Sequence, residues 1–243
     1  MKNQYLVVGG SSGIGLATAK RLAAEGAGLI LVSSNENKLE TARKELPGEG
    51  HRIIPYDLSD TEHIHTIFER IHETGLKLNG MIYCAGISPL CLVRDNSPEL
   101  MEKVFRINVF SFIEMVKFYQ QEDCSFEGSK IIAISSITAR GGGYRQTLYG
   151  ASKAAMISAV KLMSKELLNR GIRINCISPG VVESPLLKEL RSSSEGLDEK
   201  IKKNQPIGII DPDAVAKVVS FLLSDGGDYL TGREWVLDGG YGL

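Results

Sequence analysis

The chain of 243 residues has few cysteines, little net charge and no long apolar run, and each absence excludes a class of protein. Its four cysteines are scattered with no C-x-x-C pair, which argues against a zinc site or a disulfide framework and fits a reducing compartment. The net charge of −1 gives no electrostatic case for nucleic acid or an anionic membrane as a partner. No apolar run approaches the ~20 residues of a membrane span, and the apolar start is too short for a signal peptide. We therefore expect a cytoplasmic protein.

Histidine is equally scarce, and its positions do not suggest a metal site. The four residues, His51, His63, His65 and His72, have the pattern of surface positions. His63 and His65 are two residues apart, a spacing that cannot bring both onto one face of a helix. We assign no metal site.

Short β-branched runs alternate with longer helical patterns along the chain. Strands are predicted at 5–8, 29–33, 52–56, 81–85, 130–135, 172–178 and 234–237, and helices at 13–25, 36–46, 60–74, 98–121, 148–169 and 211–224. This alternation predicts an α/β protein, with a doubly wound parallel sheet of about seven strands and helices on both faces. The absence of linkers and repeats predicts one domain over 1–243. The polar stretch 188–204 predicts a substrate lid at about 185–206.

The first predicted strand leads directly into a glycine-rich segment, GGSSGIG (9–15). Gly9, Gly13 and Gly15 permit a tight turn and a close approach of the backbone to a ligand. The first N–H groups of the helix that follows then form an anion site. Glycine-rich turns without a ligand also occur, but at the first strand-to-helix turn of such a sheet the segment predicts a nucleotide or dinucleotide cofactor.

Three further strand ends are expected at the same edge of the sheet. Asp57 follows the third predicted strand and is a candidate acceptor for an adenine amino group, although aspartate is also common in turns. Ala85 and Gly86 follow the fourth strand, where a small residue lets a cofactor pass close to the backbone. Pro179 and Gly180 follow the sixth, where a break in the chain can open a pocket. Each is also compatible with a routine strand-to-loop transition.

YGASK (149–153) places a phenol and an ammonium four residues apart on one predicted helix. Such pairs are common on solvated helix faces, so Tyr149 and Lys153 alone decide nothing. Together with GGSSGIG, Ser135-Ser136, PGVVESP and YLTGREWVLDGG, however, they make the chain resemble a short-chain dehydrogenase/reductase of the compact single-domain branch. The resemblance extends from Leu6 to Gly240.

The resemblance implies a Rossmann-type fold, a nicotinamide dinucleotide cofactor, a small carbonyl or alcohol substrate and a homo-oligomer, tetramer or dimer. It also implies a catalytic set of Asn108, Ser136, Tyr149 and Lys153. Tyr149 is expected to act as acid and base, with its pKa lowered by Lys153, which also holds the nicotinamide ribose. Ser136 is expected to hydrogen-bond the substrate oxygen. Asn108 is expected to hold a water in a proton relay; the alternative is a helix-interior asparagine that bonds locally.

The motifs and the resemblance together imply a larger set of cofactor contacts. These are Gly9, Ser11, Ser12, Gly13, Ile14, Gly15, Ser33, Ser34, Asn35, Asp57, Leu58, Cys84, Ala85, Gly86, Asn108, Tyr149, Lys153, Pro179, Gly180, Val182 and Ser184. The second strand ends in Ser33-Ser34-Asn35, with no carboxylate to accept from a ribose 2′-hydroxyl or to repel a 2′-phosphate. NADP(H) is therefore favoured over NAD(H), although Ser12 stands where many NADP-preferring relatives carry a basic residue.

The chain departs from the family pattern at several positions. Val8 replaces the usual threonine, and Tyr83 and Cys84 replace two asparagines that normally brace the glycine loop and the fourth strand. We expect a differently packed adenine side rather than lost activity. Ser184 stands in place of threonine and keeps the hydroxyl.

Several functions stay open at this point. An enzyme could act on a 3-oxoacyl thioester, a sugar, a steroid or a small ketone. A carrier-bound thioester requires basic residues near the mouth of the site, for which the candidates are Arg170, Arg173, Lys188 and Arg191. A cofactor-binding sensor or scaffold without turnover is the alternative from another class.

Overall fold

A computed structural model of the protein describes residues 2–141, 143–185, 187–188, 191 and 196–242. Its seven strands are β1 (Gln4–Val8), β2 (Gly28–Ser33), β3 (Arg52–Pro55), β4 (Leu78–Tyr83), β5 (Ser125–Ile134), β6 (Arg173–Pro179) and β7 (Glu234–Leu237). They form one sheet in the order β3-β2-β1-β4-β5-β6-β7, and every neighbouring pair is parallel. The predicted fold class is confirmed.

The helices connect the strands and cover both faces of the sheet. They are α1 (Gly13–Ala24), α2 (Glu36–Lys44), α3 (His65–His72), α4 (Pro98–Phe105), α5 (Ser111–Tyr119), α6 (Thr138–Gly141), α7 (Thr147–Leu167), α8 (Leu197–Asn204) and α9 (Pro212–Leu223). One buried cluster packs β-strand side chains against α3, α5 and α7, and a second packs them against α1, α2 and α9. Successive side chains of a strand point to opposite faces, so the continuous apolar runs supply both layers.

The helix predicted over 98–121 is divided in the structure. A π-helical segment, Arg106–Phe110, lies between α4 and α5. A π turn holds one residue more than an α turn, so it shifts the hydrogen-bond pattern of the backbone. Asn108, one of the predicted site residues, is the central residue of this segment.

Three helix starts are capped by side chains that the sequence places there. Asn35, Ser97 and Asp211 each accept a hydrogen bond from a backbone N–H in the first turn of α2, α4 and α9 respectively. At α1 the capping residue is Ser12, whose backbone is extended and whose side chain makes no capping hydrogen bond among the described residues. The first N–H groups of α1 therefore remain available for a ligand.

The surface prediction for the histidines is wrong at His51. This side chain is buried, and its Nε2 lies 3.0 Å from the carbonyl oxygen of Pro47. Gly48 and Gly50, both with positive φ, lie in the segment that leads into β3, between Pro47 and His51.

The predicted lid is described only in part. Its second half forms α8, whereas residues 186, 189–190 and 192–195 lie outside the described residues. In the part of the chain that the structure describes, no helix has the length and apolar character needed to cross a membrane.

Candidate active site

The strand order creates a crevice between β1 and β4. The chain runs outward from β1 to β3 and then returns to place β4 on the other side of β1. In open α/β sheets a ligand binds at this switch point, outside the carboxyl ends of the strands. A cleft of about 590 Å³ opens there, a volume typical of small-molecule sites.

Most of the predicted site residues line this cleft. Of the cofactor and catalytic residues named above, Asn35 and Asn108 alone lie outside its lining in the described part of the chain. The cleft also contains residues that were not predicted, namely Tyr56, Ile87, Ser88, Ile107, Ile134, Ser135, Glu183 and Pro185. Each lies within two positions of a predicted residue, so a prediction that covered every residue of the strand-end turns would have included them.

Two residues of the glycine loop make backbone contacts that leave no room for a side chain. Gly9 has φ +82°, and a Cβ at this position would lie 2.7 Å from the backbone nitrogen of Ala85. A Cβ on Gly15 would lie 2.1 Å from the carbonyl oxygen of Gly9. The two glycines therefore let the turn after β1 touch both the turn after β4 and the first turn of α1.

Gly13 differs from Gly9 and Gly15 because it faces open space. Its φ is +53°, and no atom of the described residues lies within 4 Å of the place that a Cβ would take. Gly13 begins α1, whose first residues line the cleft, and the first turn contains no acidic residue. A phosphate or pyrophosphate group fits this position on steric and electrostatic grounds.

The region beyond the glycine loop is lined by small polar groups. The hydroxyl of Ser11 donates to the hydroxyl of Ser33 at 3.0 Å, and both residues line the cleft. Asp57 is exposed, and its carboxylate accepts from the backbone N–H of Ser59 at 2.9 Å. Asn35 instead turns toward α2, where its side chain serves as the helix cap.

Ser136, Tyr149 and Lys153 meet at the other end of the cleft. Ser136 follows the carboxyl end of β5, and the other two lie on the first turns of α7. A Cβ on Gly150 would lie only 3.0 Å from the carbonyl oxygen of Thr138. The glycine inside YGASK therefore lets α7 approach the turn that carries Ser136.

Lys153 is nearly fully buried, with 3% of its surface exposed. Its Nζ donates to the carbonyl oxygen of Ile134 at 2.7 Å. Burial lowers the pKa of Lys153 to about 8, and the nearby thiols of Cys84 and Cys176 act in the opposite direction. Near neutral pH the ammonium therefore remains charged but releases its proton more readily than an ordinary lysine.

The phenol of Tyr149 departs from the expectation of a lowered pKa. Burial raises the pKa of Tyr149, and the neighbouring hydroxyl of Ser136 opposes that rise. The Lys153 ammonium lies 5.8 Å from the centre of the Tyr149 ring and donates to the backbone carbonyl of Ile134. In this structure Tyr149 therefore holds its proton at neutral pH, as a proton donor must.

Asn108 lies behind the wall of the cleft rather than in it. It is fully buried, with its Oδ1 accepting from the Ile87 N–H at 2.8 Å and its Nδ2 donating to Ile87 O at 3.0 Å and Ser152 Oγ at 2.9 Å. A Cβ on Gly86 would lie 3.2 Å from Asn108 Oδ1 and 3.3 Å from Lys153 Nζ. The two polar atoms therefore face one small space, which the missing side chain of Gly86 leaves open.

Gln205 is a residue of the site that sequence reasoning missed. Fully buried just after α8, it accepts from the Val181 N–H at 2.8 Å and donates to Val181 O at 3.1 Å and Gly208 O at 2.6 Å. Its amide thus fixes the loop after β6, where Gly180 lines the cleft. Because Gln205 lies near the end of the predicted lid (185–206), no strand-end signal marked it.

Two of the four basic residues proposed for the mouth lie away from it. Arg170 and Arg173 lie at the amino end of β6, the edge opposite the cleft, and Arg173 is paired with Asp228 at 2.7 Å. Arg191 pairs with two carboxylates, those of Glu183 and Asp198, each at 2.8 Å. The prediction is wrong for Arg170 and Arg173, because a residue that precedes a parallel strand lies at its far end.

Comparison with known proteins identifies the family. A family model described as enoyl-(acyl carrier protein) reductase matches residues 8–242. The chain is 32% identical over 241 residues to the 3-oxoacyl-[acyl-carrier-protein] reductase FabG of Thermotoga maritima, covering 97% of this chain and 96% of that protein. It is also 32% identical over 245 residues to carbonyl reductase family member 4 of Xenopus laevis, covering 100% and 99%.

Solved structures give the same result. A short-chain type dehydrogenase/reductase from Mycobacterium ulcerans superimposes with a TM-score of 0.90 and 29% identity over 98% of this chain and 89% of that one. A structure titled ElxO with NADP bound gives a TM-score of 0.89 and 26% identity over 99% of both chains. The fold and the cleft thus define a dinucleotide-binding oxidoreductase. The chain belongs to the short-chain dehydrogenase/reductase family, and its cleft fits a nicotinamide cofactor.

The two ends of α1 offer a matched test of the phosphate site. Gly13 and Gly26 both have positive φ and open surroundings among the described residues, but Gly13 alone of the two lines the cleft. Replacement by alanine strains either backbone by about 1–2 kcal/mol. We expect Gly13→Ala to weaken NADPH binding in a fluorescence titration by at least about tenfold, or about 1.4 kcal/mol, and Gly26→Ala to leave it unchanged. Equal affinities of the two variants would place the phosphates elsewhere.

Proposed function

We propose that the protein catalyses reversible hydride transfer between NADP(H) and a carbonyl/alcohol pair, with Tyr149 as the acid and base. The observation that carries the proposal is that Ser136, Tyr149 and Lys153 line the same cleft as the glycine loop. Hydride transfer to a carbonyl requires a bound cofactor and a proton donor at one place, and this cleft supplies positions for both.

Each side chain has a role that follows from its surroundings. A bound nicotinamide supplies or accepts the hydride. Tyr149 donates its proton to the carbonyl oxygen in reduction and removes one from the alcohol in oxidation. Ser136 hydrogen-bonds the same oxygen, and its hydroxyl is held 3.1 Å from Thr138 Oγ1. The charge of Lys153 stabilises the phenolate, and the space that Lys153 shares with Asn108 is where we place the relay water.

The substrate is best sought among carbonyl compounds. One relative named above is a 3-oxoacyl-[acyl-carrier-protein] reductase and another a carbonyl reductase. The placement of Arg170 and Arg173 removes two of the residues proposed to meet an acidic carrier. A panel of 3-oxoacyl thioesters, sugars, steroids and small ketones, assayed by NADPH oxidation, tests the proposal. No turnover with any of them, despite NADPH binding, would favour the cofactor-binding sensor.

The acid/base role of Tyr149 predicts a large loss of turnover in Tyr149→Phe. This variant keeps the ring and removes only the acidic proton, so kcat should fall by about 10²–10⁴-fold with little change in NADPH affinity. Tyr229→Phe is the matched control, since that phenol is fully exposed. Near-normal turnover of Tyr149→Phe would disprove the acid/base role of Tyr149.

The two other side chains predict different effects. Lys153→Met should lower both turnover and cofactor affinity, whereas Ser136→Ala should lower turnover alone.

The pKa of Lys153 predicts the pH dependence of carbonyl reduction. Lys153 carries its charge below about 8 and loses it above, so kcat for reduction should be steady at lower pH and fall as pH rises through about 8. Lys165 lies on the exposed side of the same helix, and Lys165→Met should leave the profile unchanged. A profile that falls only near the pKa of an ordinary lysine would contradict the assignment.

We also propose a preference for NADP(H), supported by the Ser11–Ser33 hydroxyl pair in the cleft. The ratio of kcat/KM for NADPH to that for NADH should exceed one. Ser33→Asp should lower this ratio by at least about tenfold, because a carboxylate repels the 2′-phosphate. Asn169→Asp adds the same charge on an exposed residue just before the amino end of β6, away from the cleft, and should not. A tenfold preference of the unaltered protein for NADH would refute this proposal.

A homo-oligomer is the proposed state in solution. Large apolar side chains are exposed on the helices expected to form contacts, with Phe110 and Ile113 in and after the π segment and Leu162 on α7. An isologous two-fold contact would cover them. Light scattering should show a dimer or tetramer at micromolar concentration, and Leu162→Glu should reduce its mass, whereas Val93→Glu should not. A monomer of the unaltered protein would contradict the proposal.

A further inference from the structure

Tyr83, the last residue of β4, connects the sheet to the π segment. The side chain is fully buried, and its ring lies 5.1 Å from that of Phe112. Its hydroxyl oxygen lies 2.7 Å from the carbonyl oxygen of Ile107 and 2.6 Å from Ser111 Oγ. Ser111 Oγ is in turn 2.7 Å from the same carbonyl oxygen. Two hydroxyl groups therefore converge on the carbonyl of Ile107.

The π segment explains why this carbonyl needs them. In an α-helix the N–H of Ser111 would donate to Ile107, four residues earlier. Here that N–H donates to the carbonyl of Arg106 instead. The Ile107 carbonyl, which loses this helical donor, accepts from the hydroxyls of Tyr83 and Ser111 instead. Burial raises the pKa of Tyr83, so the phenol keeps the proton that it donates.

Ile107 directly precedes Asn108, and its carbonyl belongs to the same peptide group as the Asn108 nitrogen. Hydrogen bonds that hold this carbonyl therefore also hold the backbone of Asn108. The amide of Asn108 holds both backbone groups of Ile87 and the hydroxyl of Ser152. It thereby ties the turn after β4 to α7, the helix of Lys153. A small shift of the π segment would break this set of bonds and change the space beside Gly86.

We propose that Tyr83, acting with Ser111, is a positioning residue that holds the π segment so that Asn108 keeps its place beside Lys153. The inference rests on the proposed function, since it assigns Tyr83 a part in supporting the proton relay. The phenol of Tyr83 thereby supports the helical segment that carries Asn108.

The activity test compares Tyr83→Phe/Ser111→Ala with the unaltered protein and with Tyr119→Phe. Tyr119 is an equally buried phenol on α5 that makes no hydrogen bond to the π segment in the described structure. We expect the double variant to lose about tenfold in kcat with unchanged KM for the cofactor, and Tyr119→Phe to keep its kcat. In an Asn108→Ala background the two substitutions should cause no further loss. A kcat that is unchanged, or a loss that adds in full to that of Asn108→Ala, would overturn the proposal.

A second readout does not depend on any substrate. The Ile87 N–H donates to Asn108 Oδ1, so its hydrogen exchange reports whether Asn108 is in place. Exchange at Ile87 should be faster in Tyr83→Phe/Ser111→Ala and unaltered in Tyr119→Phe. The rates are compared at temperatures equally far below the melting temperature of each variant. Unchanged exchange in the double variant would also overturn the proposal. Faster exchange in a protein that reduces no carbonyl would leave the positioning role standing and reject the proposed function.

Discussion

The ammonium of Lys153 is a positive charge held almost entirely out of water, and the arrangement of the cleft depends on it. A buried charge is unfavourable unless polar partners compensate for lost hydration. Here the carboxyl end of β5 presents the carbonyl of Ile134, and the turn after β4 has only hydrogen at Gly86 on the side that faces the ammonium. Burial lowers the pKa of Lys153 to about 8, which makes the group responsive near neutral pH. Perturbed groups of this kind concentrate at functional sites.

Three glycines allow the close contacts between chain segments that place Lys153 next to the rest of the cleft. Gly9 lets the first turn touch the turn after β4, Gly86 leaves room between Asn108 and Lys153, and Gly150 brings α7 against the Ser136 turn. Each contact joins two chain segments that are far apart in sequence. The parallel sheet therefore provides the common edge, while the absence of side chains at these positions sets the distances across it.

The sequence predicted the sheet, most helix boundaries and most of the residues that line the cleft. Apolar periodicity and strand-end motifs are local, and in a parallel sheet all carboxyl ends share one edge. The π segment at Asn108, the partners of Tyr83 and the amide of Gln205 could not be predicted, because each depends on which distant backbone groups lack a hydrogen-bond partner. The same applies to the raised pKa of Tyr149 and to the burial of His51, which follow from packing rather than from neighbours in sequence.

Lys153 is a buried, titratable cation next to the phenol of Tyr149, and its pKa can be measured directly. In protein with ¹³C-labelled lysine, the ε-carbon resonance that is missing in Lys153→Met identifies this residue. Its chemical shift as a function of pH should titrate at about 8, below the ordinary lysine value of 10.5. Titration of Lys153 at that ordinary value would show that the ammonium is hydrated, and would contradict this account of the site.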